Sequence, residues 1–170
     1  AELFLGEPLF PGKCEYDQLK KIIDFMGYPS YNYKLGKKVQ KYFESLGFSG
    51  DSLEKILNVF ELQHFKKNDF IVEEGKTSRY IGFVETGMFQ YYVIKDGIEI
   101  TSYVSVANTW LASVMSFVSG KPSLENIRAL CESRIFMISK ASLSTLIKTI
   151  PPFKDFYIAL LEQSICGIDE

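Results

Sequence analysis

The chain is poor in the residues that would commit it to several common chemistries. Its 170 residues include three cysteines, Cys14, Cys131 and Cys166, far apart and with no C-x-x-C pair. An odd, scattered set gives neither a disulfide framework nor a tetrahedral metal site. It fits a reducing, cytoplasmic compartment. The one histidine, His64, stands alone, so metal or haem ligation has little to work with. Excess charge of either sign is missing too, with a net charge of −2. Nonspecific nucleic-acid binding wants a basic surface, and none is expected here. No apolar run approaches the roughly 18–20 residues of a membrane span, and there is no secretory leader pattern at Ala1. The sequence reads as an excerpt from something longer.

What is present is apolar and aromatic, 46% and 15% of residues, enough for a sizeable core. Two textures follow one another. Residues 1–44 are broken repeatedly by Gly6, Pro8, Pro11, Gly12, Gly27, Pro29 and Gly36. Tyr16, Leu19, Ile22, Ile23 and Met26 recur at helical spacing and predict a helix over Glu15–Met26. Lys38–Ser45 reads as another short helix. Asp51, with Glu54 three residues on, signals a helix start; its apolar stripe is Leu53, Ile56, Leu57 and Phe60.

From Phe65 the period changes to short β runs: Phe70–Val72, Tyr80–Val84, Met88–Ile94 and Ile98–Val104. Asn68-Asp69, Gly75, Gly87 and Asp96-Gly97 punctuate them, and Asp-Gly between two β-rich runs is a strong hairpin signal. Asn108–Gly120 reads as a turn and short helix, and Leu124–Cys131 and Ser133–Ile138 as strands. Ser139 caps a helix to about Thr149. Pro151-Pro152 breaks it, and a last helix runs from Phe153 to about Ile165. The expected fold is mainly β with flanking helices, a small roll of short strands. Phe65, Ile71, Ile81, Phe83, Val93, Ile100 and Ile138 are its expected core. Gly75 and Gly87 are read as structural turn residues. Tyr91, Tyr92 and Tyr103 either line a pocket or fill and cap the roll.

The order of elements from about Leu53 to Ile165, carried by FKKNDFIVEEGKTSRYIGFVETGMFQYYVIKDGIEIT (65–101), GKPSLENIRAL (120–130) and SRIFMISKASLSTLI (133–147), resembles the sensor domain of Crp/Fnr-family regulators. That resemblance implies a jelly-roll-like double-stranded β-helix, the cyclic-nucleotide-binding β-roll, over residues 45–170. In binders of this fold a Gly-Glu-Leu segment opens the short helix. Its N–H groups hold the cyclic phosphate, its Glu takes the ribose, and an Arg neutralises the phosphate. Laid on this chain, the Gly falls at Ala112, the Glu at Ser113, the Arg at Ser123 and the residue after it at Leu124. All four depart from the pattern.

Loss of the Arg matters most, since a buried charge without its partner costs several kcal/mol. Arg128 lies an odd number of residues from Ser123 and should face away in a regular strand. Glu125, two residues on, should face in and repel phosphate. Binding of cAMP or cGMP is therefore not expected. The helix start, Ala112–Met115 with Val114, still offers N–H groups, so another small ligand stays open. Tyr103 joins Ala112, Ser113, Val114, Ser123, Leu124 and Glu125 as the candidate pocket. No catalytic residue, metal or cofactor is expected.

Residues 1–43, with AELFLGEPLFPGKCEYDQLKKIIDFMGYPS, resemble something else: the C-lobe of a DYRK/Yak-type CMGC protein kinase. That fragment carries none of the kinase's catalytic motifs. At the other end, the resemblance implies a dimer seam on the last helix, assigned to Phe153, Tyr157, Leu160 and Leu161, with Ile165 in the same stripe; the other reading, that this helix simply packs on the roll, stays open beside it. No helix-turn-helix follows, so contact with nucleic acid is not expected, and neither is contact with membrane. The reading is a non-enzymatic regulatory module with a degenerate phosphate cassette and a homodimer seam. Two others stay open: a regulatory domain of a kinase-containing signalling protein, and a dimerisation module that binds no ligand.

Overall fold

The computed structural model describes residues 37–166, with side chains placed through Ser164. The chain divides into two compact units, Ala1–Lys34 and Leu35–Glu170, and the described residues all belong to the second. The expected helix over Glu15–Met26 and the kinase-like run up to residue 36 lie outside them. The expected boundary at residue 44 falls inside the second unit. Its reason is the first described helix, α1 (Lys37–Ser45), whose Val39 and Phe43 are buried in the same apolar cluster as Ile81 and Phe83. The helix ends in a Schellman turn, with Phe48 N–H on Phe43 O at 3.1 Å and Gly47 N–H on Glu44 O at 2.9 Å. Gly47 takes the left-handed conformation this turn requires, at φ +87°.

Helix α2 (Gly50–Leu57) starts one residue before the expected cap. Ser49 holds the N-cap position without a side-chain bond, and Asp51 sits in the first turn, where its carboxylate pairs with Lys55 at 2.6 Å. Eight strands follow: β1 (Glu61–Phe65), β2 (Phe70–Val72), β3 (Tyr80–Thr86), β4 (Met88–Lys95), β5 (Ile98–Val106), β6 (Trp110–Leu111), β7 (Asn126–Ala129) and β8 (Ser133–Ser139). They form two four-stranded antiparallel sheets in the orders β1-β8-β3-β6 and β2-β7-β4-β5. The β4–β5 hairpin closes on Asp96 and Gly97, at φ +53° and +77°, the two positive values a two-residue hairpin turn requires.

Three helices complete the unit: α3 (Val114–Ser119), α4 (Lys140–Thr149) and α5 (Pro151–Cys166). Ser139 caps α4 by accepting from Ser142 N at 3.1 Å. Pro151 and Pro152 form the first turn of α5, where a missing N–H costs nothing. That helix therefore starts two residues before the expected Phe153.

The apolar residues sort into two clusters. One fills the roll, with Val72, Val84, Phe89, Tyr91, Leu111, Ile127, Ala129, Ile135 and Met137. The other joins the outer face of the first sheet to the helices, through Phe43, Ile56, Ile81, Phe83, Phe117, Ile138, Leu146, Phe153 and Leu160. Ile81, Phe83 and Ile138 thus serve the helix layer rather than the roll interior. Phe65 and Ile71 pack half-buried against the roll cluster. Ile100, expected in the core, is exposed: β5 is an edge strand, and its hairpin end carries Ile94, Ile98 and Ile100 into solvent.

The seam expected on the last helix is largely turned inward. Phe153 and Leu160 are buried in the helix-layer cluster, and Tyr157 packs against it. Phe43 of α1 meets Phe153 and Phe156 at ring distances of 6.0 and 5.2 Å. Of the side chains assigned to a partner, Phe153 and Leu160 are thus covered by their own chain, while Tyr157 and Leu161 are half-buried.

Candidate functional site

The candidate site is the segment that leads into α3 and out again to β7. Ala112 and Ser113 stand before the helix, which ends at a left-handed Gly120, φ +72°. Ser116 anchors it: its Oγ donates to Lys121 O at 2.6 Å and accepts from Ser78 N at 2.9 Å. The β2–β3 loop clips onto the return segment. Gly75 N donates to Ser123 O at 2.8 Å, Ser123 N to Lys76 O at 2.9 Å, and Glu74 N to Asn126 Oδ1 at 2.9 Å.

Inside this frame the polar groups satisfy one another. Ser113 and Ser123 are each 2% exposed, and their hydroxyl oxygens lie 3.0 Å apart. Ser123 Oγ also donates to Glu125 O at 2.7 Å and accepts from Glu125 N at 3.2 Å. This local bond draws residues 123–125 into a turn, so β7 begins at Asn126 rather than at the expected Leu124. The turn swings Leu124 outward, 83% exposed, which removes it from the candidate pocket. Glu125 is half-buried; burial raises its carboxyl above the ordinary range, and a hydrogen bond from Ser113 opposes the rise. The Ser113 hydroxyl thus lies between Ser123 and the Glu125 carboxylate.

The N–H of Ala112 is occupied as well. It donates to Tyr91 Oη at 3.1 Å, and Tyr91 Oη lies 3.5 Å from Ala112 O. Tyr91 belongs to the roll cluster, and burial drives its hydroxyl far above the usual phenol range against hydrogen bonds with Ser105 and Ala112. Tyr103 meets its ring edge-on at 5.5 Å and remains 40% exposed at the rim. Val114 is half-buried at the helix start.

Arg128 stands on the other face of β7. Ile127 and Ala129 point into the roll, so residue 128 points out. Its Nε donates to Gln90 Oε1 at 3.0 Å, its guanidinium pairs with Glu99, and it stacks 4.5 Å over the Tyr92 ring. Tyr92 therefore serves this outer ion pair rather than a pocket. His64 is exposed in edge strand β1. Among the described residues no three His, Cys, Asp or Glu side chains gather where a metal could sit, and no helix is long and apolar enough to cross a membrane.

Sequence reasoning brought Ala112, Ser113, Ser123 and Glu125 together, and the fold does so too. It missed the hydroxyl of Tyr91 as the group on the Ala112 N–H. The available signal was the alternation of β4, which puts Phe89 and Tyr91 on one face with a polar end that needs a partner.

A β-roll of two antiparallel sheets, with a short helix inserted before the seventh strand and two helices after the eighth, defines a cyclic-nucleotide-binding fold. The chain belongs to the cyclic nucleotide-binding domain family, whose model matches residues 62–150. It is similar in fold to a cyclic nucleotide-binding domain from Methylobacillus flagellatus, with a TM-score of 0.64 and 17% identity over 75% of this chain and 78% of that one. It is similar also to the catabolite activator protein of Thermus thermophilus, with a TM-score of 0.63 and 16% identity over 71% of this chain and 57% of that one. A second kind of likeness covers part of the chain. The dual specificity protein kinase YAK1 of Saccharomyces cerevisiae is 53% identical over 47 residues, 27% of this chain and 6% of the kinase. The chain spans 14% or less of the first curated kinases it matches. The family fold is a regulatory one, and the kinase likeness is short and partial.

Proposed function

We propose that this chain is a Crp-type regulatory module whose phosphate cassette is closed on itself and which does not answer to cAMP or cGMP. The observation that supports it is the buried Ser113–Ser123 hydroxyl pair, 3.0 Å apart where the family's Glu and Arg would stand. A cyclic phosphate needs a cation and free N–H donors. Here Tyr91 occupies the Ala112 N–H, and the nearest charge is the Glu125 carboxylate. Seating an anion would break the hydroxyl network, at about 1–3 kcal/mol per group left unsatisfied, and bury like charges together, at a cost of several kcal/mol. The module then acts through its surfaces, as a fixed interaction element within a larger regulatory protein.

The kinase likeness favours a second setting for the same module: a kinase-containing signalling protein rather than a transcription regulator. Titration of the purified chain with cAMP and cGMP, read by calorimetry and thermal shift, tests the main reading. No heat and no shift are expected. A ligand at 100 times its dissociation constant would stabilise the fold by about 2.7 kcal/mol, and such a shift would overturn the proposal.

A further inference from the structure

Glu85 is 1% exposed, and neither of its carboxyl oxygens has a hydrogen-bond partner. It sits at the bulge where β3 slips register against β8, between Val84 and Thr86. Two basic residues face it. Lys38 of α1 donates from Nζ to the main-chain carbonyl of Glu85 at 2.8 Å. Arg134 of β8 donates from Nε to Thr86 Oγ1 at 3.3 Å. Strand β6, Trp110 and Leu111, brings no charge. A dry carboxyl without donors favours its neutral form. Burial raises Glu85 accordingly, against the pull of Lys38 and Arg134, and burial lowers Lys38.

The helix that carries Lys38 also carries Tyr42 and Phe43. Their rings meet Trp110, the chain's single tryptophan, at 5.6 and 6.0 Å, and Phe156 of α5 meets it at 5.3 Å. The seat of α1 is thus an aromatic cluster at one end and the Glu85 bulge at the other.

We propose that Glu85 is a proton-operated latch for α1: protonated, it lets the helix seat against β3 and β6; ionised, it loosens the helix while the two sheets stay folded. The ionised carboxylate needs water or a cation. The Lys38 ammonium donates to the main-chain carbonyl of Glu85 while neither carboxyl oxygen has a hydrogen-bond partner, so ionisation favours a rearrangement of the helix that brings water or the ammonium to the carboxylate. The sign follows from a raised carboxyl. Docking is complete below the ordinary carboxyl range and weakens as pH rises through the folded value.

The test reads Trp110 emission and its quenching by a neutral quencher from acid to alkaline pH, with far-ultraviolet circular dichroism alongside. In the wild type, quenching should rise and emission shift to the red in a single-proton transition, with the strand signal unchanged. Glu85→Gln should stay docked and flat across the range. Lys38→Met, which removes a cation that favours the carboxylate, should move the transition to higher pH. A transition unchanged in Glu85→Gln or in Lys38→Met would overturn the latch. So would no transition in the wild type, or loss of the strand signal together with the tryptophan change.

Discussion

Ser113 Oγ and Ser123 Oγ lie 3.0 Å apart in a space closed to solvent. That contact joins the start of α3 to the return segment before β7, the two strips of chain between which a cyclic-nucleotide pocket would open. Removing one hydroxyl takes a partner from the other in a dry site, at about 1–3 kcal/mol, and less where Ser123 Oγ keeps its bonds to Glu125. Removing both should cost less than the two single losses together, by a coupling of about 0.5–3 kcal/mol. A denaturant double-mutant cycle on Ser113→Ala and Ser123→Ala measures it, and strict additivity would mean the pair does not act as a unit.

The converse experiment rebuilds the cassette. Ser123→Arg together with Ser113→Glu restores the phosphate's cation and the ribose acceptor. If the pocket's shape survives, cyclic-nucleotide binding should become measurable by calorimetry. The Tyr91 hydroxyl still occupies the Ala112 N–H, so adding Tyr91→Phe should strengthen binding further. No binding in either variant would show that the space itself has been filled.

Much of this was legible in the sequence, and the reasons are local. Asp96-Gly97 announces its hairpin because both residues must take positive φ. Ser139 announces α4 because its hydroxyl caps the first turn. The departures at Ala112, Ser113 and Ser123 were readable because the family pattern fixes what should stand there. What escaped depends on distant contacts. Strand β1 is a polar edge strand, Glu-Leu-Gln-His-Phe, and β6 is two residues long, so neither shows a period. Leu124 looked like strand until the Ser123 hydroxyl turned it outward. Phe153 and Leu160 repeat as a dimer seam or a packed face would, and the sequence left both open; the rings of α1 meet Phe153 and Phe156 from within the chain. The pattern of a buried face does not say which partner buries it.

The Glu125 carboxyl gives a pH-dependent readout of the same network. Burial raises it and Ser113 lowers it. Ser113→Ala should therefore move its titration midpoint upward in a carboxyl-carbon NMR titration. Because the folded value is raised, stability from this group is full below the ordinary carboxyl range and is lost as pH rises through the folded midpoint. Glu125→Gln should flatten that limb. An unmoved midpoint in Ser113→Ala would place the hydroxyl on Ser123 alone.

Gly87 is held by geometry rather than by ligand chemistry. Its φ is +96°, and a Cβ there would come within 2.0 Å of Ser133 Oγ, the hydroxyl that accepts from Met88 N. Gly87→Ala must strain the backbone, at about 1–3 kcal/mol, and displace Ser133 as well. Urea denaturation should show a loss at or above the top of that range. Gly75→Ala, with nothing within 4 Å of the added carbon, should incur the backbone part alone. Equal losses at the two sites would mean that Ser133 yields freely.

Phe43 decides where the folded unit begins. It is fully buried and touches rings from four directions: Phe48, Phe60, Trp110 and the α5 pair Phe153 and Phe156. Truncating such a side chain costs about 3–5 kcal/mol, a large share of the roughly 5–15 kcal/mol that holds a typical domain. Phe43→Ala, measured at acid pH where α1 is docked, should therefore lower the urea midpoint of the whole β-roll as read by strand dichroism. A boundary at residue 44 predicts the opposite, a change confined to the segment before the roll and an unchanged midpoint for the strands. The burial of Val39 and Phe43 in one apolar cluster with Ile81 and Phe83 argues for the first outcome, because truncating Phe43 removes packing from side chains that the strands themselves contribute.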